Sequence, residues 1–572
     1  TPAPPPPPPA RPTARGPLTT VVGAVTRGYE RWLTTVARFT PTERQRLLGL
    51  TIALGGVCGL VAVGFHLAIH AVETLTIARA LAAGGDAWIG WTLAVPAAGA
   101  LVAGVLLSYL PTARGSGIPQ VKVAYATGAV RLRLRDSLGK FAVAVIQVGT
   151  GSSLGREGPT VQICAGVAKA LGKLAGVSAA NLRLLLPVGA AAGVAAAFNA
   201  PIAAVTFTIE EIIGDLDQTL LSGVIIAAAL AAVVERAVLG GNPVFTIPPG
   251  LSLDHASSLV IYAALGVAAA GLALAFTEVL LRVRGRFARS RLPRWLRPAL
   301  GGLTTGALAV VALHTVHLGG ITGNGYEGLE AALFGRVPLT ALVVLGVAKL
   351  IATVIAYGSG GAGGIFAPSL FLGAMLGGAF GALDIAVFGH DASELGAFAL
   401  VGMGAMFAAT IRAPITSVLM LIEMTGGYDL TLPLMIANMV AYGLARRVRP
   451  VPVYEALLAQ DGVHLPHREP VADALEALAV ARLLAQPAAH VAFAVTAPAG
   501  ELLATADRAE RQDVFPVVDA DARLVGLITV DDLAALAAAG PLDELVRAVD
   551  LMRPPQAVRP EEPLTRALER MA

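Results

Sequence analysis

Three short stretches place glycine just ahead of a proline: Gly115-Ser116-Gly117-Ile118-Pro119, Gly155-Arg156-Glu157-Gly158-Pro159 and Gly364-Ile365-Phe366-Ala367-Pro368. Proline is tolerated in the first turn of a helix, where its missing N–H costs no bond, and glycine lets the chain bend before it. Each stretch therefore reads as a helix start. A helix start presents unpaired N–H groups and about half a positive charge. Three of them converging in apolar surroundings would hold an anion without a full cation, which would bind too tightly for fast release. One start carries a carboxylate, Glu157. The amides that would bind an anion equally stabilise ionised Glu157, so the two compete, and protonation would release the side chain. Taken alone, an ordinary N-terminal capping carboxylate explains Glu157 equally well. Glu210 and Glu211 lie in an apolar run that begins at Ala200-Pro201. Adjacent residues on a helix do not share a face, so these two carboxylates should have different tasks.

The surroundings of these residues are suited to lipid. Of 572 residues, 55% are hydrophobic and 14% charged, against roughly 25% charged in a soluble domain, and the mean hydropathy is +0.70. Carboxylates in such a setting are expensive and functional by default. The 64 glycines suit helices that pack through small residues or stop within the membrane. The two cysteines, Cys58 and Cys164, exclude a disulfide-stapled scaffold and read as packing thiols. The net charge of +3 excludes little.

Residues 1–40 open on TPAPPPPPPARPTARGP and are expected to be a disordered tail. A membrane domain is expected over 41–460, with one half at about 45–240 and a second at about 255–445. Several of its apolar segments are shorter than the roughly 20 residues a spanning helix needs, or are broken by glycine and proline. That pattern predicts helices ending inside the membrane, where the freed backbone must line a protein cavity. Arginines gather at Arg27 to Arg46, at Arg131, Arg133 and Arg135, at Arg282 to Arg297, and at Arg446, Arg447 and Arg449. The positive-inside rule puts all four groups, and both termini, on the cytoplasmic side. The halves are related by sequence: GAAAGVAAAFNAPIAAVTFTIE (Gly189–Glu210) and GMGAMFAATIRAPITSVLMLIE (Gly402–Glu423) match at a constant offset of 213. Glu210 has the mate Glu423, which suggests a symmetric structural role, whereas Glu211 stands opposite Met424. Duplicated halves with a midplane site are typical of transporters.

With GSGIP at 115–119, GREGP at 155–159, GGIFAP at 363–368 and Tyr454 in Val451-Pro452-Val453-Tyr454 all in order, the sequence resembles the CLC family of chloride channels and chloride/proton exchangers over about residues 45–457. The resemblance implies an all-α polytopic membrane protein of two inverted-topology repeats with re-entrant and broken helices. It implies a homodimer with one anion path per subunit, in a bacterial inner membrane. It further implies that Ser116 and Tyr454 offer hydroxyls to a dehydrated chloride, with Gly117, Ile118, Arg156, Gly158, Ile365 and Phe366 around it. Serine at position 116 is associated in the family with chloride over nitrate. Glu157 would be the gating glutamate and Glu211 the internal proton glutamate, a place where many family channels carry valine. Lys122 stands where some bacterial relatives have a carboxylate, and we expect it to pair with Glu211. Lys140 and Arg156 are expected to tune the local potential, with pairing to nearby carboxylates as the alternative.

From about residue 470 the chain reads as a soluble domain. Phe515 to Asp519 and Leu524 to Thr529 predict strand, turn and strand, and Asp531 to Ala539 a helix. The region 461–572 resembles a small α/β cytoplasmic CBS region, with one copy at about 470–540 and a truncated second at about 546–572. Thr529 and Asp532 match the pattern that contacts an adenine nucleotide, and a structural dimerising role explains the region equally well. His66 and His70 lack further ligands of suitable spacing. Gly358 to Gly363 matches G-x-G-x-x-G outside any βαβ unit. The expected function is chloride/proton antiport, with chloride, protons and the lipid bilayer as partners. Catalysis, nucleic acid, resident metal and cofactor are not expected, an adenine nucleotide excepted. The rivals are a passive voltage- or pH-gated chloride channel of the same fold, a membrane redox enzyme using His66 and His70, and a nucleotide sensor.

Overall fold

Apolar runs separated by Gly, Pro and Arg fold into helices whose order repeats. In the computed structural model the described residues are 43–127, 132–214, 218–241, 244–248, 251–253, 255–391, 394–463, 465, 478–482, 490–506, 509, 512–538, 546–555, 557–564 and 566–567. The expected tail at 1–40 and Arg131 lie outside them. The chain divides into two units, 1–465 and 466–572.

The first half of unit one comprises α1 (Glu43–Leu75), α2 (Ile77–Leu81), α3 (Ala87–Tyr109), α4 (Ile118–Thr127), α5 (Leu134–Gly149), α6 (Glu157–Leu174), α7 (Ala179–Phe198), α8 (Pro201–Phe207), running into a π-helical turn at Thr208–Ile213, and α9 (Gln218–Leu239). The second comprises α10 (Ser258–Arg289), α11 (Arg297–Val316), α12 (Tyr326–Leu333), α13 (Leu339–Gly358), α14 (Phe366–Phe388), α15 (Leu395–Ile411), α16 (Pro414–Thr425) and α17 (Thr431–Val448), and α18 (Val453–Gln460) follows. Helix for helix, α4 to α9 recur as α12 to α17. Among the described residues eight helices are long and apolar enough to cross a membrane. The others, α4, α8 and α12 among them, are the short elements that the broken segments predict.

Two apolar stretches that read as continuous, 184–213 and 396–424, are each broken once. Asn199 (φ 50) and Arg412 (φ 73) end α7 and α15 in the left-handed conformation, and the next helix starts at Pro201 or Pro414. A non-glycine residue in that conformation is disfavoured by about 1–2 kcal/mol, and local hydrogen bonds offset it. Asn199 Oδ1 accepts from Arg236 Nε at 2.6 Å. Arg412 donates to the carbonyls of Tyr442, Ala445 and Arg449 at the end of α17.

The starts of α8 and α16 are capped across the repeat. Glu210 accepts from the N–H groups of Ile415 (3.2 Å) and Thr416 (2.8 Å), and Glu423 accepts from those of Ile202 (3.0 Å) and Ala203 (2.7 Å). The symmetric role expected of this pair is therefore a reciprocal cap between the halves. Cys58 and Cys164 are free, buried thiols, each donating to the other's carbonyl at 3.6 Å, in keeping with packing between α1 and α6.

Unit two contains β1 (Phe493–Ala494), α19 (Ala499–Ala506), β2 (Val514–Val518), β3 (Leu524–Thr529), α20 (Val530–Ala538) and α21 (Ala548–Leu551). The strands form one sheet in the order β1-β2-β3, with β1 parallel and β3 antiparallel to β2. Phe493, Leu502, Phe515, Val517, Ile528 and Leu533 make its core. The predicted strand, turn, strand and helix are all present.

Glu210→Ala would strand two helix-start N–H groups, and so would Glu423→Ala. Each should lower stability by on the order of 2 kcal/mol, measured as an earlier thermal unfolding transition in detergent. Glu210→Gln, which keeps an acceptor oxygen, should lose less.

Candidate functional site

The three glycine-proline helix starts converge as the sequence predicts. Gly155 N donates to Gly364 O at 2.8 Å and Gly364 N to Gly155 O at 2.7 Å. This isolated antiparallel bridge sets the starts of α6 and α14 head to head across the two repeats. Gly115, at φ 74, donates to Gly361 O at 2.9 Å and brings in the start of α4. A Cβ added at Gly158 would lie 2.2 Å from Ser116 Oγ, so only glycine permits this approach. Gly117, Ile118, Ile365 and Phe366 share the junction. Phe366 is anchored by Phe198, Phe207 and Phe407, with ring centroids 4.7, 5.9 and 4.4 Å away.

Tyr454, in the first turn of α18, and Ser116 are both fully buried. Their hydroxyls lie within reach of one another, yet neither makes a hydrogen bond of ordinary geometry among the described residues. Buried polar atoms are normally satisfied. Two unsatisfied neutral donors beside converging helix starts suit a dehydrated anion.

Glu157 is buried at the same junction. Tyr326 Oη donates to its Oε1 at 2.9 Å; backbone N–H groups of Glu157 and of Ala367 face the carboxylate without a bond of ordinary geometry to Oε2, which has no partner among the described residues. Oε2 lies over Gly155, where an added Cβ would come within 2.2 Å of it. The carboxylate thus rests on the starts of α6 and α14 together, and capping of α6 alone does not describe it.

Sequence reasoning missed Tyr326 and its loop. Gly323-Asn324-Gly325-Tyr326-Glu327 precedes and opens α12 as Gly115-Ser116-Gly117-Ile118-Pro119 precedes and opens α4; only the two glycines are shared, too weak a signal to find unaided. A buried lysine holds each loop. Lys140 of α5 donates to the carbonyls of Ala113 (2.9 Å) and Gly115. Lys349 of α13 donates to those of Gly320 (3.1 Å), Ile321 (3.0 Å) and Gly323 (2.8 Å). The alternative of carboxylate pairing for Lys140 is therefore corrected, because its ammonium is satisfied by loop carbonyls. Arg156 lines a cavity of about 180 Å³ with His66, His70, Glu73, Asn324 and Tyr326. His66 and His70 stack at 6.5 Å, and among the described residues they join no group of three metal ligands.

Glu211 sits in the π-helical turn, 3% exposed, and the expected pairing is present: Lys122 Nζ lies 3.1 Å from Glu211 Oε1. The same ammonium is 2.8 Å from Oε1 of Glu455, which is 25% exposed. Glu455, one residue after Tyr454, is a second carboxylate that spacing did not reveal. It turns the pair into a chain from the partly exposed Glu455 to the buried Glu211. Glu210, its neighbour in sequence, is spent on the cap of α16. A separate cavity of about 560 Å³ borders Gly115 and Tyr357 and is lined by Arg114, Arg284, Arg294 and Arg297.

In unit two, Thr529 and Asp532 are engaged with each other. Thr529 donates to Asp532 Oδ2 through its hydroxyl (2.6 Å) and its N–H (3.0 Å), and Arg553 pairs with Oδ1 at 2.5 Å. The Thr529 hydroxyl first, and Arg553 after it, hold the Asp532 carboxyl down to about 2. This is the geometry of a cap at the start of α20.

The profile of the family described as voltage gated chloride channel matches residues 98–446, and that of the CBS domain matches residues 491–539. A putative chloride channel protein ClcB-like from Ralstonia nicotianae is 37% identical over 65% of this chain and 87% of its own length. An H(+)/Cl(-) exchange transporter ClcA from Vibrio campbellii is 35% identical over 73% of this chain and 90% of its own. The crystal structure of a slow cyanobacterial Cl−/H+ antiporter superimposes with a TM-score of 0.66 at 28% identity, covering 73% of this chain and 98% of that one.

Lys122→Met would leave Glu211 buried without its cation. Removing one partner of a buried pair is destabilising by about 3–5 kcal/mol. The variant should therefore unfold earlier on heating, and Lys122→Met/Glu211→Gln should recover part of the loss.

Proposed function

Because the chain belongs to the voltage-gated chloride channel (CLC) family, we propose that it exchanges chloride for protons across a membrane, with Glu157 as the group both ions use. The observation that carries this reading is the position of the Glu157 carboxylate, on the starts of α6 and α14, where Ser116 and Tyr454 bring their buried hydroxyls. Ionised Glu157 takes the amide donors that chloride would use, so the site holds one negative charge at a time. A proton removes the charge and with it the attraction to the helix starts. The carboxyl then swings off Gly155, and chloride reaches the N–H groups of Ile365 and Phe366 and the two hydroxyls. Return of the carboxylate expels the anion and releases the proton. Tyr326 supports the seated carboxylate through one hydrogen bond, and Arg156 adds positive potential beside it.

Protons reach this point through Glu455, Lys122 and Glu211. One ammonium between two carboxylates carries a net negative charge, and one added proton makes the trio neutral. It can therefore take up and give back a proton with little charge left in the interior. This end faces the cytoplasm, because Arg282 to Arg297, the cytoplasmic arginine run, lies at the end of α10 to which Arg284 ties Asp461, just beyond α18.

The working form is a homodimer in a bacterial inner membrane with both termini cytoplasmic. Ile202, Ile225, Ile415, Met435 and Met439 are exposed on α8, α9, α16 and α17, α8 and α16 being locked together by Glu210 and Glu423, and they supply an apolar face for the second copy. An adenine nucleotide at Thr529 and Asp532 would displace Arg553 and regulate from the tail.

In liposomes, Glu157→Gln should move chloride with proton coupling abolished, and Glu211→Gln should lose coupling with chloride binding unchanged. Gly155→Ala puts a methyl where Oε2 rests and should loosen coupling in the same direction while Glu157 remains. Full coupling in Glu157→Gln would refute the assignment.

A further inference from the structure

We propose that His255, His390 and Glu394 form a site for a divalent transition cation of the zinc class, oriented by Asp384, at the end of the membrane domain opposite the arginine run Arg282 to Arg297. Three segments meet there: the residues before α10, the residues after α14, and the residue that precedes α15. One ligand atom from each of the three side chains lies within 4.8 Å of the other two. Imidazole with carboxylate is a donor set that suits zinc and its neighbours and not hard cations.

The charges at this place argue for a cation. Asp384 is fully buried and Glu394 is 3% exposed, and among the described residues neither carboxylate is paired with lysine or arginine, only with histidine. Asp384 Oδ1 is buried with no hydrogen-bond partner among the described residues. Ser258 Oγ lies 3.4 Å from Asp384 Oδ2 and 3.3 Å from Glu394 Oε2, and a single hydroxyl proton serves only one of them. Buried carboxylates are paired or bind metal. The protein alternative is two imidazolium rings, but those rings are stacked with centroids 4.1 Å apart and planes within 8°, which sets two positive charges face to face. Two carboxylates, two neutral imidazoles and one divalent ion sum to zero without that repulsion.

The second layer is also in place. Asp384 Oδ2 lies 2.7 Å from His390 Nδ1, the carboxylate-to-histidine contact that orients a metal-ligating ring, and Nε2 would exchange its contact with the exposed Ser257 hydroxyl, at 3.2 Å, for the ion. His255 Nδ1 lies 2.6 Å from Glu394 Oε1, so the ion would take the place of the proton those atoms share. Coordination in the plane of each ring requires one ring to turn out of the stack. His255, whose side chain is 45% exposed, has room to do so. An ion held here would tie the beginnings of α10 and α15 to the end of α14. The inference is independent of the transport reading.

The test is titration of zinc chloride into tag-free, metal-stripped full-length protein in detergent, by calorimetry. One zinc ion should bind per chain at micromolar concentration and raise the thermal unfolding midpoint. His255→Ala/His390→Ala should weaken binding at least about tenfold and abolish the thermal shift, while His66→Ala/His70→Ala should bind as the unaltered protein does. If the double variant at 255 and 390 does not fold, His255→Ala alone, on a half-exposed ring, carries the test. Absence of binding, equal binding by the altered protein, or equal response to magnesium would overturn the proposal.

Discussion

Everything in the membrane unit follows from one constraint: a small anion stripped of water must be stabilised in an apolar interior without a full opposing charge. Backbone N–H groups at helix starts meet it, because they carry partial charge and stay fixed. Helix starts can meet at one point only if helices stop within the membrane, and the freed backbone must then be satisfied by protein. The exchange of hydrogen bonds between Gly155 and Gly364 does both, pinning two starts together and pairing two N–H and two carbonyl groups that the breaks expose. Glycine suits both positions: a Cβ at Gly155 would come within 2.2 Å of the Glu157 carboxylate, and one at Gly364 within 3.2 Å of the Gly158 nitrogen.

The same constraint explains where charge is tolerated. Lys140 and Lys349 are fully buried, yet each ammonium is spent on loop carbonyls, so they shape the turns ahead of α4 and α12 without meeting the anion directly. Glu210 and Glu423 are consumed by helix caps. Around the junction itself, Glu157 lies on the helix starts, and Glu211 is linked through Lys122 to Glu455. These two carboxylates, Glu157 and Glu211, are the ones proposed to carry protons.

Much of this was legible in the sequence where chemistry is local. Gly-x-x-x-Pro marks the starts of α4, α6 and α14, and the offset of 213 pairs Glu210 with Glu423, the two carboxylates that cap across the repeat. The pairing of Lys122 with Glu211 could be anticipated from the family resemblance, in which Lys122 replaces a carboxylate. Tyr326 could not, because it meets Glu157 across 169 residues and its loop shares only two glycines with its mate. Hydropathy also hid the breaks at Asn199 and Arg412, since left-handed backbone there depends on side-chain bonds to α9 and α17. In the tail, Thr529 and Asp532 cap α20, a local arrangement that their match to a nucleotide-contact pattern does not display.

The central claim is that one carboxylate, Glu157, serves chloride and proton in turn, so that neither ion moves without the other. The most direct measurement is paired recording of chloride and pH in liposomes holding the unaltered protein, with an outward chloride gradient and no initial pH difference. Chloride efflux should drive protons inward, with a reversal potential displaced from that of chloride alone. Chloride efflux with no proton movement, and a reversal potential equal to that of chloride, would contradict it.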